Sequence, residues 1–83
     1  MPLPVVEFVT RRGCCLCDEA LAVVEAARAS RPFELVVVDV DSSPDLQEEH
    51  GGYVPVVLVD GRRFSAYHVD EDRFAARLRE AGA

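Results

Sequence analysis

The sequence predicts an α/β fold of order βαβαββα, a four-stranded mixed sheet flanked by helices. Three observations lead there. Two runs rich in β-branched residues, Val5-Val6-Glu7-Phe8-Val9 and Phe33-Glu34-Leu35-Val36-Val37-Val38-Asp39, bracket a stretch with helical periodicity. Asp60-Gly61 separates the apolar run Val54-Pro55-Val56-Val57-Leu58-Val59 from Arg62-Arg63-Phe64, a signal for a tight two-residue hairpin. Cys14 and Cys17 form a C-x-x-C pair at the point where the first strand should turn into the first helix.

The elements follow in order. Residues 4–10 read as a strand with the near-continuous apolar character of one buried on both faces. Arg11-Arg12-Gly13 is the loop, and Gly13 gives the backbone freedom to turn. From about Cys15 to Ala29, apolar residues recur at Cys17, Ala20, Leu21, Val24 and Ala27 and draw one stripe down a helix. Ser30-Arg31-Pro32 stops it. The run from Phe33 to Asp39 is too short for a helix and reads as a second buried strand, parallel to the first through a right-handed βαβ crossover. Ser43-Pro44-Asp45 carries a hydroxyl cap, a proline at the first helical position and an acid in the first turn, and so opens a short helix that Gly51-Gly52 ends. The hairpin comes next. Asp70-Glu71-Asp72 then caps a last helix whose stripe is Phe74, Ala75, Leu78 and Ala81, with Gly82 beyond its end. No linker, repeat or low-complexity stretch divides residues 1–83, which read as a single domain.

Composition narrows the function. At 83 residues and 49% hydrophobic, the chain has apolar material enough for one small core. A net charge of −6 disfavours general nucleic-acid binding. All nine basic residues are arginine. No apolar run is long enough to span a bilayer, and the N-terminus lacks a secretory pattern. Three cysteines are an odd and sparse set for a disulfide scaffold. The expectation is a cytoplasmic monomer that binds neither membrane nor nucleic acid, and in that setting C-x-x-C is redox-active or metal-binding.

The chemistry of the pair follows from its position. A helix start lends unpaired N–H groups and its positive dipole end to the first sulfur, which favours the thiolate, the nucleophilic form. Cys14 is therefore expected at the N-cap as the attacking thiol, with Arg11 and Arg12 adding positive charge nearby. Cys17, one turn in and on the buried stripe, is expected to resolve the mixed disulfide. Cys15 lies between them on the exposed side. A zinc or iron–sulfur module is the competing class, but closed zinc sites want four ligands and a second paired set is absent. A third class is a binding domain whose thiols do not turn over.

Thr10-Arg11-Arg12-Gly13-Cys14-Cys15-Leu16-Cys17-Asp18-Glu19-Ala20, with Val38-Asp39-Val40-Asp41 and Val54-Pro55-Val56, resembles the small bacterial glutaredoxin-like proteins of the thioredoxin-fold superfamily. The likeness runs from about Val5 to Ala81. It implies a thioredoxin-like fold and a thiol–disulfide oxidoreductase acting on protein or small-molecule disulfides. It also implies a cis Pro55 beside the C-x-x-C, with the Val54 main chain turned toward an extended substrate segment. Tyr53, Val54, Pro55, Arg11, Arg12 and Asp70 are the expected substrate-binding residues, and no metal or resident cofactor is expected. Glutathione is one candidate among reductants the sequence does not identify, and Ser65-Ala66-Tyr67-His68-Val69-Asp70 stands where glutathione-binding relatives carry Gly-Gly and an acid, leaving only Asp70 for that acid. Tyr53 and Tyr67 either flank the groove or complete packing. His50 and His68 are expected at the surface, and Asp39, Asp41, Asp45, Glu48 and Glu49 as a solvated face.

Overall fold

A computed structural model describes residues 3–82. Strand β1 (Val5–Thr10) leads through a turn into helix α1 (Cys15–Ser30), then β2 (Glu34–Asp39). A 3-10 turn at Val40–Ser42 precedes α2 (Pro44–His50), the hairpin strands β3 (Val56–Val59) and β4 (Arg62–Ala66), and α3 (Glu71–Glu80). The order βαβαββα is the one read from the sequence.

The sheet runs β2-β1-β3-β4. β1 pairs with β2 in parallel, from Val5↔Glu34 to Thr10↔Asp39, and with β3 antiparallel, from Val6↔Val59 to Val9↔Val56. The β3–β4 pair is antiparallel with an irregularity between Val57 and Leu58. Its turn has positive φ at both Asp60 (50°) and Gly61 (83°), the twist that suits a two-residue hairpin. Asp60 Oδ1 accepts the Val5 N–H at 2.9 Å, which ties this turn back to the start of β1.

Alternation along the central strands divides the interior in two. Val6 and Phe8 of β1, with Val57 and Val59 of β3, meet Cys17, Ala20 and Val24 of α1 and Phe74 and Leu78 of α3. Phe74 is the hinge of an aromatic trio: its ring lies 5.8 Å from Phe33, edge-on, and 5.6 Å from Phe64. On the opposite face Val9, Val40 and Val56 form a smaller cluster with Leu46 of α2.

Each helix stops and starts where its local chemistry dictates. Arg31 leaves α1 in an extended conformation, as the residue before Pro32 must. Ser43 Oγ accepts the Asp45 N–H and Pro44 occupies the first turn of α2. Asp70 Oδ1 accepts the Arg73 N–H at 2.9 Å to open α3.

Four expectations need correction. β2 is an edge strand rather than a buried one: Val36 and Val37 are 45% and 55% exposed, because the helices cover β1 and β3. An apolar run alone does not distinguish the centre of a sheet from its rim. β3 begins at Val56, two residues later than the apolar run, and β4 extends to Ala66. Leu21 and Ala27 of α1, and Ala75 and Ala81 of the last stripe, are only half-buried at the margin of the helix contacts. His50, in the last turn of α2, is 5% exposed and not a surface residue.

Candidate active site around the Cys14 turn

The turn that carries the cysteines is built locally. The Cys14 N–H returns to the Arg11 carbonyl at 3.3 Å, and Gly13 sits at φ 79°, a conformation a side chain would resist. This places Cys14 at the N-cap of α1, where its Sγ accepts the Cys17 N–H at 3.2 Å. An oxygen-bearing cap is the usual occupant of that position. Here a thiol does its work, and Cys14 is half-buried.

The three thiols are free and graded in burial: Cys15 exposed, Cys14 intermediate, Cys17 buried at 3% exposure. Burial pushes the Cys17 thiol up from its ordinary pKa, and the neighbouring Cys14 sulfur adds to the rise. Hydrogen bonds from the Thr10 side chain and the Arg11 backbone offset part of it. Cys17 is thus held protonated and covered beneath the first turn, with its N–H directed at Cys14.

The second wall of the site is the segment before β3. The Val54–Pro55 peptide bond is cis. Pro55 is buried, and its carbonyl accepts the Tyr67 N–H at 2.8 Å. Val54 packs, like Cys14, against the margin of the larger core. Its own N–H and C=O make no backbone hydrogen bond among the described residues. Tyr53 and Tyr67 flank this segment, both well exposed, with ring centroids 6.2 Å apart. The Tyr67 hydroxyl donates to the Gly52 carbonyl at 2.9 Å, and the Arg63 guanidinium lies 4.9 Å from the Tyr53 ring centre.

Arg11 joins the two walls. Its Nε and Nη2 donate to the two carboxylate oxygens of Asp41, each at 3.1 Å, and Nη1 donates to the Gly51 carbonyl at 3.2 Å. Gln47 Nε2 adds a bond to Asp41 at 3.2 Å. The hydrogen bond from Arg11 is the main reason the Asp41 carboxyl is held below the usual carboxylate range. The guanidinium thus spans from the cysteine turn to the chain just before Tyr53. Arg12, beside it, is exposed. Asp70 is exposed and its Oδ1 is engaged in capping α3. His68 and Val69, which precede it, line a shallow cleft of about 150 Å³ with Leu16, Glu19, Ala20 and Val23 of α1.

Cys14 and Cys17 share the first turn of α1, the Val9↔Val56 register sets Tyr53, Val54 and Pro55 at the same end of the sheet, and Arg11 reaches Gly51, whereas Arg12 is exposed and Asp70 serves a helix end. Asp41, Thr10 and Arg63 were not singled out for the site by sequence. For Asp41 a signal existed: in a parallel β1–β2 pair with Thr10 opposite Asp39, the residues just beyond are Arg11 and Val40-Asp41. Arg63 gave none, since its place over the Tyr53 ring is a side-chain contact that no local pattern marks. Among the described residues, no group of three or more His, Cys, Asp or Glu side chains is arranged to hold a metal ion. Nor is any helix among them long and apolar enough to cross a membrane.

Residues 5–79 match the glutaredoxin-like domain family (DUF836). An uncharacterized protein of Mycobacterium tuberculosis is 37% identical over 83 residues, covering 94% of this chain and 86% of the relative; one from Mycobacterium bovis gives the same figures. Among solved structures, a Nitrosomonas europaea protein superposes with a TM-score of 0.81 at 25% identity, covering 93% of both chains. A protein from X. campestris gives 0.75 at 28% identity over 94% of this chain and 99% of its own. Chloroplastic thioredoxin z shares the fold, with a TM-score of 0.76 at 16% identity over 96% and 80%.

Proposed function

The chain belongs to the glutaredoxin-like domain family, and from that premise we propose that it is a thiol–disulfide oxidoreductase reducing disulfides through Cys14 and Cys17. The observation that carries the reading is the N-cap sulfur: Sγ of the half-buried Cys14 accepts the N–H of the buried Cys17 one turn away.

The steps balance as two sulfur displacements. The Cys14 thiolate attacks one sulfur of a substrate disulfide. A Cys14–substrate bond forms, the substrate S–S bond breaks, and the departing thiolate takes up a proton. Cys17 then gives up its proton and attacks Cys14 Sγ. The Cys14–Cys17 disulfide forms, the second substrate sulfur leaves as a thiol, and two electrons have passed from protein to substrate. Two equivalents of a cellular thiol, glutathione being one candidate, restore the dithiol by the reverse exchange and leave as their own disulfide.

Burial of Cys17 suits its place in this order, since a covered, protonated thiol does not compete with Cys14 for the first attack. The unpaired N–H and C=O of Val54 suit the docking of an extended substrate segment as an added strand. The proposed substrate is a disulfide-bearing protein or a low-molecular-weight disulfide, and the proposed setting is the cytoplasm, where a thiol pool keeps such a pair reduced.

The test is turnover of hydroxyethyl disulfide and of a disulfide-bearing protein by the purified chain, with its reduction potential measured alongside. Cys14→Ser should abolish turnover. Cys17→Ser should accumulate a mixed disulfide at Cys14, visible by intact mass. A chain that shows no reversible dithiol couple, or a Cys17→Ser variant that traps nothing, would remove the reading.

A further inference from the structure

We propose that Tyr53, Arg63 and Tyr67 form a platform for a carboxylate side chain that a disulfide-bearing protein substrate carries near the cysteine under attack. The inference rests on the reading of Cys14 and Val54 as the exchange site, and names the substrate feature recognised beside it.

The two tyrosines are the exposed aromatics of the described chain, at 45% and 43%, while Phe8, Phe33 and Phe74 are buried and Phe64 is half-buried. They stand together rather than scattered, with ring centres 6.2 Å apart and planes inclined by 58°. Both are anchored to the segment that carries Val54. Tyr53 is its chain neighbour, and Tyr67 is held from two sides, by its N–H to the Pro55 carbonyl and its hydroxyl to the Gly52 carbonyl. Tyr67 also sits at φ 70°, a backbone conformation that costs a side-chain-bearing residue energy and persists only where surroundings enforce it. An aromatic ring held out of the core, in a strained conformation, next to unpaired main-chain groups is a surface arranged for contact.

Charge decides what it contacts. Acidic residues outnumber basic ones 15 to 9. No carboxylate among the described residues pairs with Arg63, a trait it shares with most of the exposed arginines; the aromatic ring beneath it sets it apart. Its guanidinium instead lies over the Tyr53 ring at 4.9 Å. An arginine so placed keeps its planar edge of donors free while the ring fixes its orientation, an arrangement that suits a carboxylate. Arg11, the other cation at the site, is already committed to Asp41 and Gly51.

Reach decides where the carboxylate sits. Tyr53 directly precedes Val54, so a substrate segment pairing with Val54, advancing about 3.3 Å per residue, carries residues near its cysteine to the Tyr53 side. A protein segment supplies both the strand and the acid.

The experiment uses the full-length chain, isotope-labelled, titrated by NMR with short peptides. Their central cysteine is replaced by serine, and Glu, Gln or Lys stands one or two residues to either side. The Glu peptide should bind about threefold tighter than its Gln counterpart at low salt, and the Lys peptide more weakly, with the preference shrinking as salt rises. Shifts should gather at Tyr53, Arg63 and Tyr67. Arg63→Glu should invert the order of the Glu and Lys peptides. Equal binding of the three peptides, or an order unchanged by Arg63→Glu, overturns the platform. Oxidised glutathione occupying the same residues as tightly as the Glu peptide would assign them to a small disulfide and overturn the protein-substrate inference. Hydroxyethyl disulfide turnover by the unaltered chain separates the two proposals. Its absence with the Glu preference intact removes the redox reading alone, and turnover without a preference removes the platform alone.

Discussion

Reducing the chain to a single thiol, by Cys14→Ser with Cys15→Ser, turns the burial of Cys17 into a rate that can be measured. Cys17 is 3% exposed, and burial is the largest cause of its raised pKa, which the two substitutions leave in place. An ordinary thiol with a pKa of about 8.5 is roughly 3% thiolate at pH 7. Folded Cys17 holds less, and iodoacetamide must also reach a sulfur beneath the first turn of α1. Scaling reactivity by exposed area gives alkylation at pH 7 about thirtyfold slower in the folded chain than in concentrated urea. The pH at which labelling reaches half its maximum rate should also lie higher in the folded state. Stability moves with it. Because the folded thiol holds its proton more tightly, its contribution is fully present below about pH 8.5 and is lost as pH rises through the higher folded value. The urea midpoint of the reduced protein should therefore fall in that alkaline window, with a slope of at most about 1.4 kcal/mol per pH unit. Equal labelling of folded and unfolded chains, or a folded midpoint at or below the unfolded one, would refute the account of Cys17 as a covered, protonated reserve.

Two further outcomes are expected elsewhere. Asp41→Asn removes the carboxylate that holds Arg11 across the two walls, and should raise KM for protein disulfides by up to about fivefold. The Asp41 carboxyl is held low by Arg11, so the pair is complete above about pH 3.9 and lost only as pH falls through the lower folded value. A step in the pH–KM profile of the unaltered chain between pH 5 and 8 that vanished in Asp41→Asn would contradict this. Phe74→Ala removes a fully buried ring that touches Phe33 and Phe64 and joins α3 to the sheet. It should cost about 3–5 kcal/mol by urea denaturation, a large part of the roughly 4–12 kcal/mol expected for a chain of this size. A loss under about 1 kcal/mol would mean that the site collapses to fill the space.

What the amino-acid order alone determined here is local. The 3.6-residue stripe of α1, the proline that ends it, the Asp60-Gly61 turn, the caps of α2 and α3 and the position of Cys14 at a helix start all follow from residues within a turn or two of one another. The grading of Cys14 against Cys17 was legible for the same reason, since helical spacing puts the second cysteine on the apolar stripe. What tertiary structure decided is which of these pieces face each other. The strand order put β2 at the rim and exposed Val36 and Val37; the seating of α2 buried His50; and the parallel register of β1 and β2 brought Arg11 to Asp41. Tertiary contact set Arg63 over Tyr53 and left two partly exposed tyrosines near Val54. Hydrophobic periodicity reports that a face is buried, not against what, because apolar burial is non-directional. Directional hydrogen bonds and ion pairs acquire partners only when distant segments meet, and at this site those partners join the cysteine turn to its neighbouring wall.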